Sequence, residues 1–458
     1  MKPLAASFRD PSGHIYSSDG RILRVVTPTG LDYFSRSHGL LRQMVAEGRL
    51  VDFSEVNAEG LDFEDNIGVV LEHPRLDLLS MPYEWSFSLL KAAALFHLDF
   101  HMDLLEQGFT LSDASAYNVQ FVGVRPIFID HLSIRPYSEG EFWTGHRQFC
   151  EQFLNPLLLR SYFDIAHNAW YRGNLEGIPL SDFSRLLPWH RRLSWRVLSN
   201  IVLPAHFQKR TQSERDVPVD LSSRSLPKAG LLAMLRQLRA WIGSLNPANQ
   251  TATTWANYAA TATYDSEEMA AKKRFVKKFI GEADGGTVID LGCNTGDYSV
   301  AALEAGASSV VGFDFDQQTL DIAYQRALTS GLNFLPLFLD ARNPSPAQGW
   351  REAERDAFST RFKADTVLAL AFEHHLAIAH NVPIDQVVHW ITKLAPRAII
   401  EFVPKSDPTV QKMLALREDI FASYSEDAFV AALNQVGSIV GREVVSATGR
   451  TIYALQAR

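Results

Sequence analysis

"VIDLGCNTGDYS", residues 288–299, opens as a short apolar run, turns acidic at Asp290, and passes through a glycine-bracketed loop into a helix-like stretch. A phosphate-binding loop of the P-loop type requires a Lys-Ser/Thr pair after its glycines, and none follows here. A dinucleotide fingerprint beginning at Gly292 requires glycines at 294 and 297, where this chain has Asn294 and Asp297. The second glycine lets the backbone approach a pyrophosphate, and a carboxylate at 297 repels one. The loop therefore suits a ligand that is not anionic at this point.

Outward from the loop, strand-like and helix-like segments alternate, the pattern of a parallel sheet covered by helices. The predicted strands are "GTVIDL", "SSVVGFD", "NFLPLFLD", "DTVLALAF" and "RAIIEFV", with helices such as "QQTLDIAYQRALTS" and "PIDQVVHWITKLA" between them. "GSIVGREVV" and "GRTIYALQA" are joined by a short link and predict an antiparallel pair closing the sheet.

These residues resemble the class I S-adenosylmethionine-dependent methyltransferases over residues 265–458. The resemblance implies a Rossmann-like sheet with an antiparallel C-terminal strand and S-adenosylmethionine as cofactor. It further implies that Asp290 is the acid ending the first strand, a carboxylate able to balance the cofactor's ammonium and sulfonium charge, and that the loop after it, Gly292, Cys293, Asn294 and Gly296, wraps the methionine moiety. Asp314, ending "VVGFD", is implied to hold the ribose hydroxyls, Phe315 to pack on adenine, and Asp340 and Ala341 to read the adenine amino group. Asp316 reads as the N-cap of the next helix.

Methyl transfer demands positioning and, for an O or N acceptor, a proton sink. Glu373, His374 and His375 follow the fourth strand and are the candidate catalytic groups, although the same side chains serve equally to shape a pocket; Glu401 is a weaker candidate. Trp255, Tyr258 and Tyr264 precede the first strand, where a substrate lid or plain core packing accounts for them. His97 and His101 are one helical turn apart, but position 98 is leucine where a zinc helix carries glutamate, so no metal site is expected there.

The first half carries a different signature. "LSDASAYNVQFVGVRPIFIDHLSI" places Asp113 five residues before Asn118, then two strand-like runs, then Asp130. This resembles the catalytic loop and metal-binding aspartate of kinases and implies an α+β kinase-like domain with ATP and magnesium at Asp113, Asn118 and Asp130. The departures are substantial: Leu111 and Ser112 replace His-Arg, His131 follows Asp130, no glycine-rich loop is visible, and Arg24 stands where a strand lysine belongs. The chain as a whole is similar to nodulation-related bacterial methyltransferases.

At 458 residues the chain exceeds one ordinary core. The Ser-, Pro- and charge-rich stretch 210–230 marks the break. The expected plan is a kinase-like domain over 1–210, a linker and bridging helix over 211–250, and a methyltransferase domain over 251–458. Residues 251–458 hold 19 Lys and Arg against 25 Asp and Glu within a net charge of −8, so neither half is a basic platform and nucleic acid is not the expected partner. Cys150 and Cys293 are the only cysteines, which excludes a disulfide framework. With no signal peptide and no apolar run long enough to span a bilayer, the expectation is a cytoplasmic enzyme without a membrane partner, acting on a small-molecule or sugar-like acceptor. A bifunctional kinase and methyltransferase, or a cofactor-binding pseudoenzyme that recruits a partner, are the competing readings.

Overall fold

The computed structural model describes residues 1–76, 78–206, 225–248, 266–283, 285–415 and 418–458. The chain divides into two compact units, the first comprising 1–121, 126–249 and 347–355, the second 122–125, 250–346 and 356–458. The nine-residue piece 347–355, drawn from within the expected methyltransferase domain, thus belongs to the first unit.

The first unit begins with the hairpin β1 (Gly13–Ser18) and β2 (Arg21–Val26), turned at Asp19 and Gly20, both at positive φ, as an Asp-Gly hairpin requires. Helix α1 (Pro28–Ala46) follows, then β3 (Ser54–Val56) and β4 (Val69–His73), giving one antiparallel sheet in the order β1-β2-β4-β3. Helix α2 (Phe87–Glu106) is capped by Ser86, whose hydroxyl accepts from Leu89 N, and buries Leu90, Ala94, Leu98 and Leu105 along with His97 and His101. Two ribbons follow, β5 (Phe109–Leu111) pairing with β8 (Ile134–Pro136) and β6 (Val119–Val122) with β7 (Arg125–Phe128), and then a run of short helices from His146 to Val202. Helix α3 (Lys228–Ser244), expected to bridge the domains, instead packs along α2 within this unit; Lys91 Nζ donates to Leu245 O at 2.7 Å and Arg239 pairs with Asp99.

The second unit opens with α4 (Ser266–Gly281) and contains β9 (Thr287–Leu291), α5 (Asp297–Glu304), β10 (Ser309–Asp314), α6 (Gln317–Ser330), β11 (Phe334–Phe338), β12 (Thr366–Ala369), α7 (Ile384–Thr392), β13 (Arg397–Phe402), α8 (Glu426–Val436), β14 (Gly437–Val444) and β15 (Thr451–Ala457). The sheet order is β11-β10-β9-β12-β13-β15-β14, with the first five strands parallel and β15 antiparallel to both neighbours. The apolar runs that define the parallel strands are buried on both faces, which is why they read as continuous rather than alternating. Among the described residues no helix is long and apolar enough to cross a membrane.

The two units should respond differently to acid. In the first, burial holds six histidines below their ordinary value: His97 and His101 at about 3, His73 and His167 at about 4, His131 well below, and His146 lowered. The unfolded chain protonates each near ~6.5 and the folded chain does not, so stability is full above that pH and falls as pH drops below it. Burial raises three carboxyls there, Asp10, Asp113 and Glu151, which act in the opposite sense but are outnumbered. In the second unit, among the described residues, His374 and His375 oppose the raised carboxyls Asp290, Asp314 and Glu373, while the carboxyls held low there, Glu304, Asp407, Asp419 and Glu426, lose their contribution only below about pH 4.5, outside the range followed. Amide exchange followed from neutral pH down to about pH 5 is expected to show the first unit losing protection before the second; the reverse order would refute the assignment.

Candidate active site

The loop after β9 is closed on itself. Gly292 N and Cys293 N both donate to Phe313 O, at 2.8 and 3.0 Å, and Gly296 N donates to Cys293 O at 2.8 Å. Asn294 N donates to Asp314 Oδ2 at 2.9 Å and Thr295 N to Asn294 Oδ1 at 2.8 Å. Every N–H from 292 to 296 therefore has a partner inside the protein, and none is left to cradle a phosphate. Asp297 is paired with Lys273 at 3.1 Å and Arg326 at 3.3 Å, so the occupied N–H groups, more than its charge, exclude a pyrophosphate.

Two glycines are demanded by shape. Gly292 and Gly296 have φ of +75° and +87°, and a Cβ at Gly296 would meet the Phe334 ring at 2.5 Å. Asp290 is 1% exposed and accepts from Ser299 Oγ at 2.6 Å, which ties the strand end to α5; burial pushes its carboxyl up to about 7. The Cys293 thiol is buried and raised well above its usual value by that burial.

Asp314 ends β10 half-buried. Its Oδ1 accepts from Asp316 N at 2.9 Å and its Oδ2 from Asn294 N, and burial raises it to about 6. Phe315 beside it is 55% exposed, with its ring 5.7 Å from that of Phe338. Asp316 caps α6, accepting from Gln318 N at 2.8 Å. Asp340 makes a two-point pair with Arg342 at 2.7 and 2.8 Å, and Ala341 is half-buried next to it.

Beyond β12 the backbone is strained: Ala371 has φ of +50°, and its N–H is held by Glu401 Oε2 at 2.8 Å. Glu373 is fully buried, its Oε1 accepting from Val403 N at 3.0 Å and lying 2.8 Å from Tyr424 OH; burial pushes it up to about 8. His374 is 1% exposed and held well below its ordinary value by burial, with Nδ1 lacking a protein partner. His375 is half-buried, its ring 4.2 Å from that of His374, and is held at about 4 by burial. Trp255, Tyr258 and Tyr264 lie outside the described residues.

A cleft of about 540 Å³ opens beside the turn between β14 and β15. Register pairing of Phe402 with Thr451 puts that turn at the C-terminal edge of β13, the edge on which the glycine loop also lies. Glu268, Arg274, Asp407, Glu443, Thr448 and Arg450 line it. Behind the wall runs an ion network: Lys272 Nζ is 2.8 Å from Glu268 and 2.7 Å from Glu401, and Arg450 makes a two-point pair with Asp407 at 2.7 and 2.9 Å. A chain of direct neighbours links cleft and loop, from Arg450 through Glu401 and Ala371 to Phe372, which packs on Gly292.

In the first unit Asn118 Nδ2 donates to Asp113 Oδ1 at 3.0 Å, and burial, with Asp130 and Asp10 nearby, raises Asp113 to about 7. Asp130 Oδ1 accepts from Arg24 Nη1 at 2.8 Å and caps the turn His131–Ser133. His97 packs beside the rings of Phe149 and Phe153, at 5.6 and 5.7 Å between ring centres, and His101 Nε2 is 2.8 Å from Thr110 Oγ1.

The strand order, the self-closed glycine loop and the acid ending the second strand define the second unit as a methyltransferase domain of class I. The family model of ribosomal protein L11 methyltransferase (PrmA) matches residues 274–336, and the enzyme of that name from Histophilus somni (strain 2336) is 43% identical over 65 residues, 14% of this chain and 22% of that protein. Over nearly its whole length, 99% of this chain and 96% of the relative, the sequence is 53% identical to nodulation protein NoeA of Rhizobium meliloti (strain 1021), and the chain belongs to the NoeA family. Among solved structures, magnesium protoporphyrin IX methyltransferase (ChlM) from Synechocystis PCC 6803 with bound SAH is 21% identical, covering 44% of this chain and 93% of that one at a TM-score of 0.30. The bifunctional kinase-methyltransferase WbdD is 18% identical, covering 48% of this chain and 46% of that one at 0.31.

Proposed function

We propose that this protein is an S-adenosylmethionine-dependent methyltransferase acting on a small, sugar-like acceptor, with a kinase-like first unit that binds or positions the acceptor and does not transfer phosphate. The observation that carries the reading is the glycine loop whose N–H groups are all internally bonded, set beside the half-buried Asp314 and the exposed Phe315. That combination rejects a phosphate and fits a nucleoside with a non-anionic tail.

In this reading Asp314 uses its remaining lone pairs for the ribose hydroxyls and Phe315 offers a face to adenine, with Asp340 and Ala341 at the ring edge. Gly292, Cys293, Asn294 and Gly296 give the methionine part room to lie against backbone, while Asp290, bonded to Ser299, fixes the loop's origin. The cofactor supplies a methyl group on a sulfonium sulfur. The chain has then to place an acceptor atom in line and receive its proton. The cleft beside the β14–β15 turn suits a hydroxyl-bearing molecule, since its carboxylates accept and Arg274 donates. Glu373, buried and bonded to backbone, shapes the site and does not exchange protons with the acceptor. His375, half-buried and neutral, is the better candidate to orient the acceptor hydroxyl. A base near 4 is poorly matched to neutral pH, so its contribution falls at the low end of the usual range.

The kinase-like part is supported by Asp113, Asn118 and Asp130, and its lack of phosphoryl transfer by Arg24. A guanidinium on Asp130 neutralises the carboxylate that would carry a metal, and it is not interchangeable with a phosphate-gripping lysine.

The test uses methyl-labelled S-adenosylmethionine with small-molecule cell extracts, with and without ATP and magnesium. Label is expected in a small product, with no need for ATP and with about a 100-fold lower rate in His375→Ala at unchanged cofactor affinity. Cofactor binding without turnover in any extract would favour the pseudoenzyme, and strict ATP dependence the bifunctional enzyme.

A further inference from the structure

The first-unit stretch 183–206, "FSRLLPWHRRLSWRVLSNIVLPAH", holds four arginines, Arg185, Arg191, Arg192 and Arg196, and no Asp or Glu, in a chain of net charge −8. Part of it is ordinary core: Phe183, Leu187, Val197 and Ile201 are buried. The rest is turned out. Trp189 is 75% exposed, Leu193 73%, Trp195 69% and Leu186 47%.

Two of the arginines, exposed like the others, hold this shape through their own contacts. The Arg191 guanidinium lies 4.2 Å from the centre of the Tyr162 ring, and Arg192 donates to Leu187 O at 2.8 Å and Arg185 O at 3.2 Å. The other two face solvent: Arg185 reaches Asp182 only at 3.9 Å with its side chain 75% exposed, and Arg196 is likewise exposed. Two indoles and two leucines are thus presented together and surrounded by positive charge. Single exposed apolar side chains are normal, but a contiguous group ringed by polar residues marks an interaction surface.

The chemistry of the patch selects its partner. Tryptophan favours the boundary between water and hydrocarbon, leucine favours the hydrocarbon, and arginine favours anionic headgroups. A nucleic acid would use the indoles and the charge but gains nothing from Leu186 and Leu193. We propose that this face docks the first unit onto an anionic lipid surface, with Trp189, Leu193 and Trp195 entering the headgroup boundary and Arg185 and Arg196 meeting lipid phosphates. Interfacial docking of this kind needs no spanning helix, so it departs from the sequence expectation of no membrane partner without requiring a transmembrane segment.

The full-length protein is tested by co-sedimentation with vesicles of mixed phosphatidylglycerol and phosphatidylcholine, and with phosphatidylcholine alone. Binding is expected to the anionic vesicles, falling as salt is raised. Trp189→Ser/Leu193→Ser/Trp195→Ser should abolish it. Arg185→Gln/Arg196→Gln, which removes no internal hydrogen bond of the segment, should weaken it by about 25-fold, roughly fivefold per arginine. The second variant keeps the test decisive if the first does not fold. No binding to anionic vesicles would overturn the proposal. So would binding indifferent to both variants, a dimer in lipid-free solution that the apolar triple variant dissolves, or oligonucleotide binding without vesicle binding.

Discussion

Asp314→Ala is expected to weaken S-adenosylmethionine binding by about ten- to 150-fold in a calorimetric titration of the folded variant. That range follows from losing charge-assisted hydrogen bonds to a ribose diol, about 1.5–3 kcal/mol. The structure adds a second loss. Asp314 Oδ2 is also the acceptor for Asn294 N, so alanine leaves an N–H of the glycine loop without its partner. The reading also has a pH signature. Burial holds the free carboxyl at about 6, so it is ionised at neutral pH and protonated at about pH 5. A ligand that prefers the carboxylate must then bind more weakly as pH falls through 6, and the alanine variant must lose that dependence. Unchanged affinity in the variant, or a parent affinity flat across that range, would remove Asp314 from the cofactor site.

Lys272→Met is expected to cost about 3–5 kcal/mol in urea unfolding of the intact protein, a large part of the ~5–15 kcal/mol typical of a folded protein. Lys272 is completely buried between Glu268 and Glu401, and Arg450 lies 3.9 and 3.7 Å from the same carboxylates while holding Asp407. Two cations thus serve three carboxylates, and removing one leaves negative charge buried without balance. The neighbouring Lys273 gives the comparison. Its pair with Asp297 is about a third exposed on both sides, at 33% and 35%, so Lys273→Met should cost under ~1 kcal/mol. Equal effects from the two substitutions would show that burial of the network is not what gives Lys272 its weight.

The legible part of this chain was local. "VIDLGCNTGDYS" declared a strand, a glycine-bracketed loop and a helix start, and the alternation of the later segments declared a parallel sheet covered by helices, but not the order of its strands. Asp316 was readable as a cap because a cap is decided by residues two and three positions on. The ion network was not readable. Lys272 sits in "EEMAAKKRF", which looks like a solvated charged face, and Arg450 and Asp407 are 43 residues apart with nothing in their spacing to join them. The same holds for residues 347–355, where composition does not reveal that Glu354 is anchored by Arg9 at 3.0 Å and buried in the other unit. Helix α3 carried the apolar spacing of a packing helix, but its partner, α2, could be known only from the fold.

The self-closed glycine loop bears on how such an enzyme would turn over. A loop whose amides are already engaged has its shape before anything arrives, so it costs little order to fill. Reactant and spent product differ by one methyl group and the positive charge it leaves behind at the sulfur, and share the ribose, adenine and amino-acid groups that Asp314, Phe315 and the loop address in the reading proposed above. Rigid recognition of the shared part implies nearly equal grip on both. The spent product would then compete with fresh cofactor from the first turnovers, and throughput would follow the ratio of the two in solution more closely than the concentration of either.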